Sequence, residues 1–169
     1  MYQVFVSHKT DELPLLEGLV NALNQVGISV YIAERSPWPG NYLYDQKIIP
    51  AIATSDCMLV LLTINSASSP DVNQEIGIAR SHDKPIVALV ESGVQIKGLL
   101  VGREVVYFDR YNPLPALQTA FEHFHSQAAL KEKAESDRNI AFLIGGLALF
   151  ILAAASKKPN QNNNLRDVM

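Results

Sequence analysis

A single cysteine, Cys57, among 169 residues excludes an internal disulfide and any zinc site built on several cysteines. It lies inside the apolar run CMLVLLT, where a buried core thiol is expected. There is no basic surplus: 14 Lys and Arg stand against 17 Asp and Glu, a net charge of −3. No basic block interrupts the chain, so nucleic acid is not expected as a partner. The opening MYQVFVSHK has neither a basic n-region nor a long apolar h-region, so no signal peptide is read there. The glycine-rich phosphate loops are missing too. No GxGxxG follows the first apolar run and no GxxxxGK[ST] occurs anywhere, which excludes the dinucleotide fingerprint and the P-loop.

What is present is globular in kind, with 48% hydrophobic and 18% charged residues. The length suits one domain plus a small addition. Tyr2 to Ser7 (YQVFVS) is a short β-type run. Asp11 to Val26 carries Leu15, Leu16, Leu19, Val20, Leu23 and Val26 at helical spacing, and Gly27 follows as a C′ residue. Ile28 to Ala33 alternates like a strand. ERSPWPGN, residues 34–41, has two prolines and a glycine and reads as a loop. Leu43 to Ser55 returns to helical period with Ile48, Ile49 and Ile52 inward. Met58 to Leu62 and Ile86 to Val90 are apolar at every position, as strands buried on both faces are. Between them Ser69 as N-cap and Pro70 at the first helical position open a helix that Lys84-Pro85 stops. EVVYF, 104–108, is a fifth strand, and a long helix begins near Pro113.

Strands alternating with helices predict an α/β fold: a flavodoxin-like, five-stranded parallel sheet of order 2-1-3-4-5 with helices on both faces. Ligands of such sheets bind beyond the carboxyl ends of the strands, at the switch point between strands 1 and 3. That places Ser7-His8-Lys9, the loop 34–42, Thr63-Ile64-Asn65 and the following helix at one mouth. A phosphoacceptor receiver domain would need an acidic pair after strand 1 and an aspartate ending strand 3, positions held here by Ser7-His8 and Thr63-Ile64-Asn65. No metal centre is expected. His123 and His125 are two apart on a helix, about 200° around its axis, and point to opposite faces.

The carboxyl-terminal part differs in character. Asn139 to Ser156 is uncharged, and the sixteen residues Ile140 to Ala155 are apolar or glycine. At ~1.5 Å per residue they would span about 24 Å. The ~30 Å hydrocarbon core is slightly longer, and flanking Arg138, Lys157 and Lys158 can snorkel to cover the difference. A transmembrane helix is therefore expected at 139–156, after a charged helical linker at 126–138 and before a polar tail at 157–169. Lys131, Lys133 and Arg138 precede the span and Lys157, Lys158 and Arg166 follow it. This tie sets no orientation by charge. A tail anchor with the large amino-terminal domain in the cytoplasm is the arrangement expected.

Five segments in order carry a resemblance to a known family. VFVSHK is similar to the first-strand box of Toll/interleukin-1 receptor (TIR) domains. Val30 to Ile52 resembles their second strand, BB loop and second helix, with Pro39-Gly40 in the loop. SDCMLVLLT resembles the third strand, SSPDVNQEIGIA the segment that carries the catalytic glutamate of NAD-cleaving TIR domains, and KPIVALVES the fourth strand. The resemblance covers residues 1–125. It implies that Glu75 is the catalytic glutamate, that Ser7, His8 and Lys9 belong to the first-loop side of the nucleotide site, and that Gly40 and Tyr42 are the BB-loop glycine and the aromatic after it. Ala33 stands where an aspartate is often found, with Glu34 adjacent. Asp71 stands where many members have tryptophan, and Trp38 is a substitute stacking surface. Substrate contacts are accordingly expected from Ser7, His8, Lys9, Glu34, Trp38, Gly40, Tyr42 and Asp71.

Val72, Ile76 and Ala79 define the packed face of the Glu75 helix, and Glu75 lies about 60° from Val72 and 40° from Ala79. At this margin a carboxylate can either stay hydrated or look into the mouth. One carboxylate is enough for the implied chemistry, because the nicotinamide–ribose bond breaks through an oxocarbenium-like state and nicotinamide leaves from a cationic form. The resemblance thus implies a membrane-anchored NAD+ nucleosidase. Its product is ADP-ribose or a cyclic isomer, NAD+ is substrate and no cofactor is needed, and self-association activates it as an antiviral effector. Ala141 and Gly145 form a small-xxx-small pair that could pack two spans, or arise by chance in an Ala/Gly-rich segment. Two alternatives stay open: a non-enzymatic TIR scaffold acting by homotypic contact, favoured by Asp71 and Ala33, and a nucleoside deoxyribosyltransferase-like enzyme.

Overall fold

A computed structural model describes residues 1–32, 44–96 and 98–155, with the side chains of Thr10, Tyr44, Asp45, Leu99 and 137–155 excluded. Five parallel strands form one sheet in the order β2-β1-β3-β4-β5, as the alternating pattern requires. They are β1 (Gln3–Ser7), β2 (Ser29–Ile32), β3 (Cys57–Leu62), β4 (Ile86–Glu91) and β5 (Glu104–Phe108). The helices are α1 (Glu17–Gln25), α2 (Ile49–Thr54), α3 (Pro70–Ser81) and α4 (Leu114–Ala155). The chain divides into a unit Met1–Lys131 and a second unit, Glu132–Met169, whose described part is helical to Ala155.

Strands β3 and β4, apolar at every position but the last of β4, Glu91, are buried throughout. Their side chains alternate between two cores. Val4, Val6, Leu59, Leu61, Val87 and Leu89 pack with Leu19 and Leu23 of α1 and with Ala120 and Phe124 of α4. Phe5, Met58, Val60, Ala88 and Val90 face the other way, against Ile52 of α2 and Val72, Ile76 and Ala79 of α3. A period of two along the strand is what lets one run of apolar residues fill both layers. Cys57 belongs to the first core, and burial pushes its thiol up to about 12, so it is an inert packing residue.

Two helices start differently from their sequence pattern, each at a proline. The 11–26 pattern opens as a 3-10 segment, Thr10–Leu15, with Pro14 inside it, and α1 begins only at Glu17. The 43–55 pattern opens as a π-helical turn, Tyr44–Ile48, before α2. Pro50 lacks the N–H that an uninterrupted α-helix would direct to the carbonyl four residues earlier. The Ser69 cap is as expected, its side chain accepting from the Val72 N–H, and Gly27 takes φ +79° after α1.

The loop 34–41, with Glu34, Trp38 and Gly40, and also Tyr42, lies outside the described residues. So do the side chains of the expected span 139–156, although its backbone is helical to Ala155. Among the described residues no helix is long and apolar enough to cross a membrane.

Because Leu59 is fully buried at the centre of the sheet, Leu59→Ala should lower unfolding free energy by about 2–5 kcal/mol. Ile64→Ala, at a position 68% exposed, should change it by no more than about 0.5 kcal/mol. Urea denaturation of both variants checks the contrast.

Candidate active site

The strand order reverses between β2 and β3, on either side of β1, and this leaves the crevice beyond the carboxyl ends of β1 and β3. Ser7 ends β1, and Glu75 is one turn into α3, which follows β3. Both are buried, Glu75 to 2% exposure. The Ser7 hydroxyl donates to Glu75 Oε2 at 2.5 Å. The helical arc that set Glu75 at the margin of the packed face thus turns it inward rather than to solvent, and a serine 68 residues away supplies a polar partner for the buried carboxyl.

The other expected residues divide. His8 is buried beside Ser7, and its Nδ1 donates to the Lys9 carbonyl at 2.8 Å, which requires the proton on that nitrogen. Lys9 is more exposed and pairs with Asp11 at 3.6 Å. Asp71 is exposed in the first turn of α3, one helical turn before Glu75. The structure therefore gathers Ser7, His8 and Glu75 at the crevice and leaves Lys9 and Asp71 on its solvent side.

A second polar cluster, absent from the expectations, lies at the same ends of the strands. Glu12 and Glu91 are 3% and 6% exposed. Arg110 donates from Nε to Glu91 Oε1 at 2.7 Å and from Nη2 to Oε2 at 2.9 Å. Its Nη2 is also 3.8 Å from Glu12 Oε1. Glu91 Oε2 accepts from the Ile64 N–H at 3.0 Å, and Glu12 Oε1 accepts from the Thr63 hydroxyl. The hydrogen bonds from Arg110 hold the Glu91 carboxyl below the usual carboxylate range against the opposing effect of burial, and raise Arg110 in turn. One signal in the sequence pointed here. Glu91 closes an otherwise apolar run; only the fold then sets it opposite Phe108 on β5, two residues before Arg110.

A cavity of about 580 Å³ lies between the ends of β3 and β4 and α3, lined by Leu62, Ile64, Asn73, Ile76, Val94 and Leu100 among others. Its described lining has no titratable side chain, so it offers no acid, base or charge for breaking a bond. The Ser7–Glu75 crevice does.

Comparisons with known proteins agree with this fold. The sequence profile of the TIR domain family matches residues 4–124. The TIR domain of the Toll-related receptor TRR-2 from Hydra magnipapillata superposes with a TM-score of 0.58 at 18% identity, over 74% of this chain and 99% of that one. The CMP N-glycosidase BcmB of Clostridium botulinum gives a TM-score of 0.53 at 25% identity, over 70% and 97%. A 2-deoxyribosyltransferase from Bacillus psychrosaccharolyticus gives 0.50 at 12% identity, over 64% and 87%. No curated protein sequence matches the chain.

The Glu91–Arg110 pair sets a pH dependence. A carboxyl whose folded value is depressed contributes stability that is complete above its unfolded value, ~4.3 for glutamate, and lost as pH falls through the folded value. Arg110→Gln removes the cause of the depression and leaves burial to raise Glu91. Arg110→Gln should therefore be less stable than wild type near neutrality, and the difference should shrink as pH falls and Glu91 becomes protonated in both proteins, as followed by urea denaturation at a series of pH values.

Proposed function

The chain belongs to the TIR domain family, and on that premise we propose that it is an N-glycosidic enzyme acting on NAD+, with Glu75 as its catalytic carboxyl. One observation carries the reading: Glu75 is buried at the switch-point crevice with its carboxyl held by the Ser7 hydroxyl. Glutamate is seldom buried without a structural or chemical reason. Here the apolar neighbours Val72, Ile76 and Ala79 on α3 already face the core.

In the proposed reaction the bond between the nicotinamide nitrogen and the anomeric carbon of the ribose breaks. Its electron pair stays with the nitrogen, so the cationic ring leaves as neutral nicotinamide and no proton donor is needed. Positive charge develops on the ribose as an oxocarbenium-like state. Glu75 stabilises that charge, and the low-dielectric crevice strengthens the interaction. Water adding to the anomeric carbon gives ADP-ribose and releases a proton; an internal nucleophile gives a cyclic isomer. Ser7 fixes which carboxyl oxygen faces the sugar. His8 and Lys9 line the first-loop side, Glu34, Trp38, Gly40 and Tyr42 complete the substrate site, and Asp71 stands at its outer edge.

A second reading breaks the same kind of bond in a smaller molecule. The similarity to a CMP N-glycosidase over nearly all of that protein's length favours a pyrimidine nucleotide as substrate, with a nucleoside deoxyribosyltransferase as its transfer variant. Both readings need Glu75 and differ in the leaving base. A chain that releases no base from either substrate is a TIR scaffold working by homotypic contact.

The proposal includes self-association through the TIR domain and attachment to a membrane through 139–156, in keeping with an immune effector that acts against viruses. A shared membrane would raise the local concentration of the domain.

With concentrated protein and NAD+, wild type should release nicotinamide and Glu75→Gln should lose at least about 100-fold of that rate. Ser7→Ala should lose about tenfold, as one orienting hydrogen bond is removed. Chromatography of the bases from parallel incubations with NAD+ and CMP separates the two readings. Equal release by Glu75→Gln would refute both. For the membrane, alkaline extraction should leave the full chain in the pellet and release a form truncated before Asn139. Full chain in the supernatant contradicts the anchor.

A further inference from the structure

The turn that carries β3 into α3 is held from two sides by buried carboxylates. From one side Glu12 accepts from the Thr63 hydroxyl. The Thr63 oxygen in turn accepts from the N–H groups of Asn65 and Ser66, at 3.1 and 3.2 Å. From the other side Glu91 accepts from the Ile64 N–H. Arg110 stands between the two carboxylates, forked onto Glu91 and 3.8 Å from Glu12. One guanidinium thus serves two buried acids. Glu12 Oε2 has no hydrogen-bond partner among the described residues, so the charge of Arg110 is the main compensation in that cluster.

We propose that Arg110 is a positioning residue for the Ser7–Glu75 site, acting through Glu91 and Glu12 on the segments that carry the pair. This rests on the N-glycosidic reading above. Beyond the 3.8 Å ion pair to Glu12 and the fork to Glu91, hydrogen bonds continue toward both segments. The Ser66 hydroxyl accepts from the Thr63 N–H at 2.8 Å, and the Ser66 carbonyl accepts from the Ser69 N–H at 2.9 Å. Ser69 caps α3 at Val72, one turn before Glu75. Toward β1, the Glu12 N–H donates to the Lys9 carbonyl at 2.9 Å, two residues after Ser7. Each member of the catalytic pair is therefore within a turn of a residue tied to the clamp. The Arg110 side chain is 36% exposed, yet its Nε and Nη2 are committed to Glu91. Binding a substrate phosphate through that fork would break the ion pair and leave Glu91 buried and unpaired.

Positioning and substrate binding differ in kinetics and in backbone protection. In Arg110→Gln, kcat for the cleaved substrate should fall by about 10–100-fold with KM within about twofold, as a displaced reacting group does. Amide hydrogen exchange at Ile64, Asn65, Ser66 and Ser69 should speed up by about tenfold. Arg110→Lys keeps the charge without the fork and should lie between wild type and Arg110→Gln in both measurements. Should Arg110→Gln fail to fold, the lysine variant decides alone. Unchanged exchange at these four amides overturns the proposal, as does a rise in KM with kcat preserved, which would make Arg110 a substrate ligand. A wild-type protein that cleaves neither NAD+ nor CMP overturns the N-glycosidic reading, and the exchange comparison then still decides whether the clamp holds the turn.

Discussion

Pairing of β1 with β3 at the centre of the sheet is the constraint on which the rest depends. Val4 to Ser7 lie opposite Cys57 to Val60 in register, and both strands are covered on both faces. A strand buried on two sides has no room for polar side chains along its length, so they collect where it ends. At the carboxyl ends stand Ser7, His8, Thr63, Glu91 and, from the adjoining segments, Glu12, Glu75 and Arg110. The buried ones among them, shut off from water, need partners within the protein. The crevice and its polar network follow from the same requirement that builds the two cores.

Three buried acids at one end of a sheet have different hydrogen-bond donors. Glu91 faces a guanidinium in a two-bond fork, which neutralises its charge and suits it to holding structure. Glu12 shares that guanidinium at longer range and orders a turn through Thr63. Glu75 accepts from the hydroxyl of Ser7. A hydroxyl donor orients a carboxyl, which suits the role proposed for Glu75. Acids that look alike in the sequence thus sit in different hydrogen-bonding settings.

The sequence carried the sheet more fully than the site. Continuous apolar runs marked β3 and β4, EVVYF matched β5 at both ends, and Ser69-Pro70 marked the start of α3, because each signal is local. Pro14 and Pro50 were visible too, but helical spacing alone did not show that they would replace regular first turns with 3-10 and π-helical ones. The burial of Glu75 was undetermined for another reason. An angle of about 40° from Ala79 fits a hydrated head and a buried one equally, and the deciding hydroxyl is 68 residues away. The Glu91–Arg110 fork needed the register of β4 against β5, which no spacing in the chain encodes. Glu34, Trp38, Gly40 and Tyr42 rest on the switch-point rule and on family resemblance.

Asp71 gives the strongest sequence argument for a scaffold, since it replaces an aromatic surface that many relatives have. Its setting supplies a different reason for its presence. It lies exposed in the first turn of α3, where an acidic side chain interacts favourably with the helix macrodipole, by about 0.3–1 kcal/mol. That contribution reinforces the Ser69 cap at the end of the helix that must hold Glu75. An aspartate there trades a stacking surface for a firmer helix start. An enzyme whose substrate is gripped mainly through sugar and phosphate can accept that exchange, whereas one that relies on stacking the leaving base cannot. The departure therefore bears on how a nucleotide would be held more than on whether the Glu75 carboxyl can break its glycosidic bond.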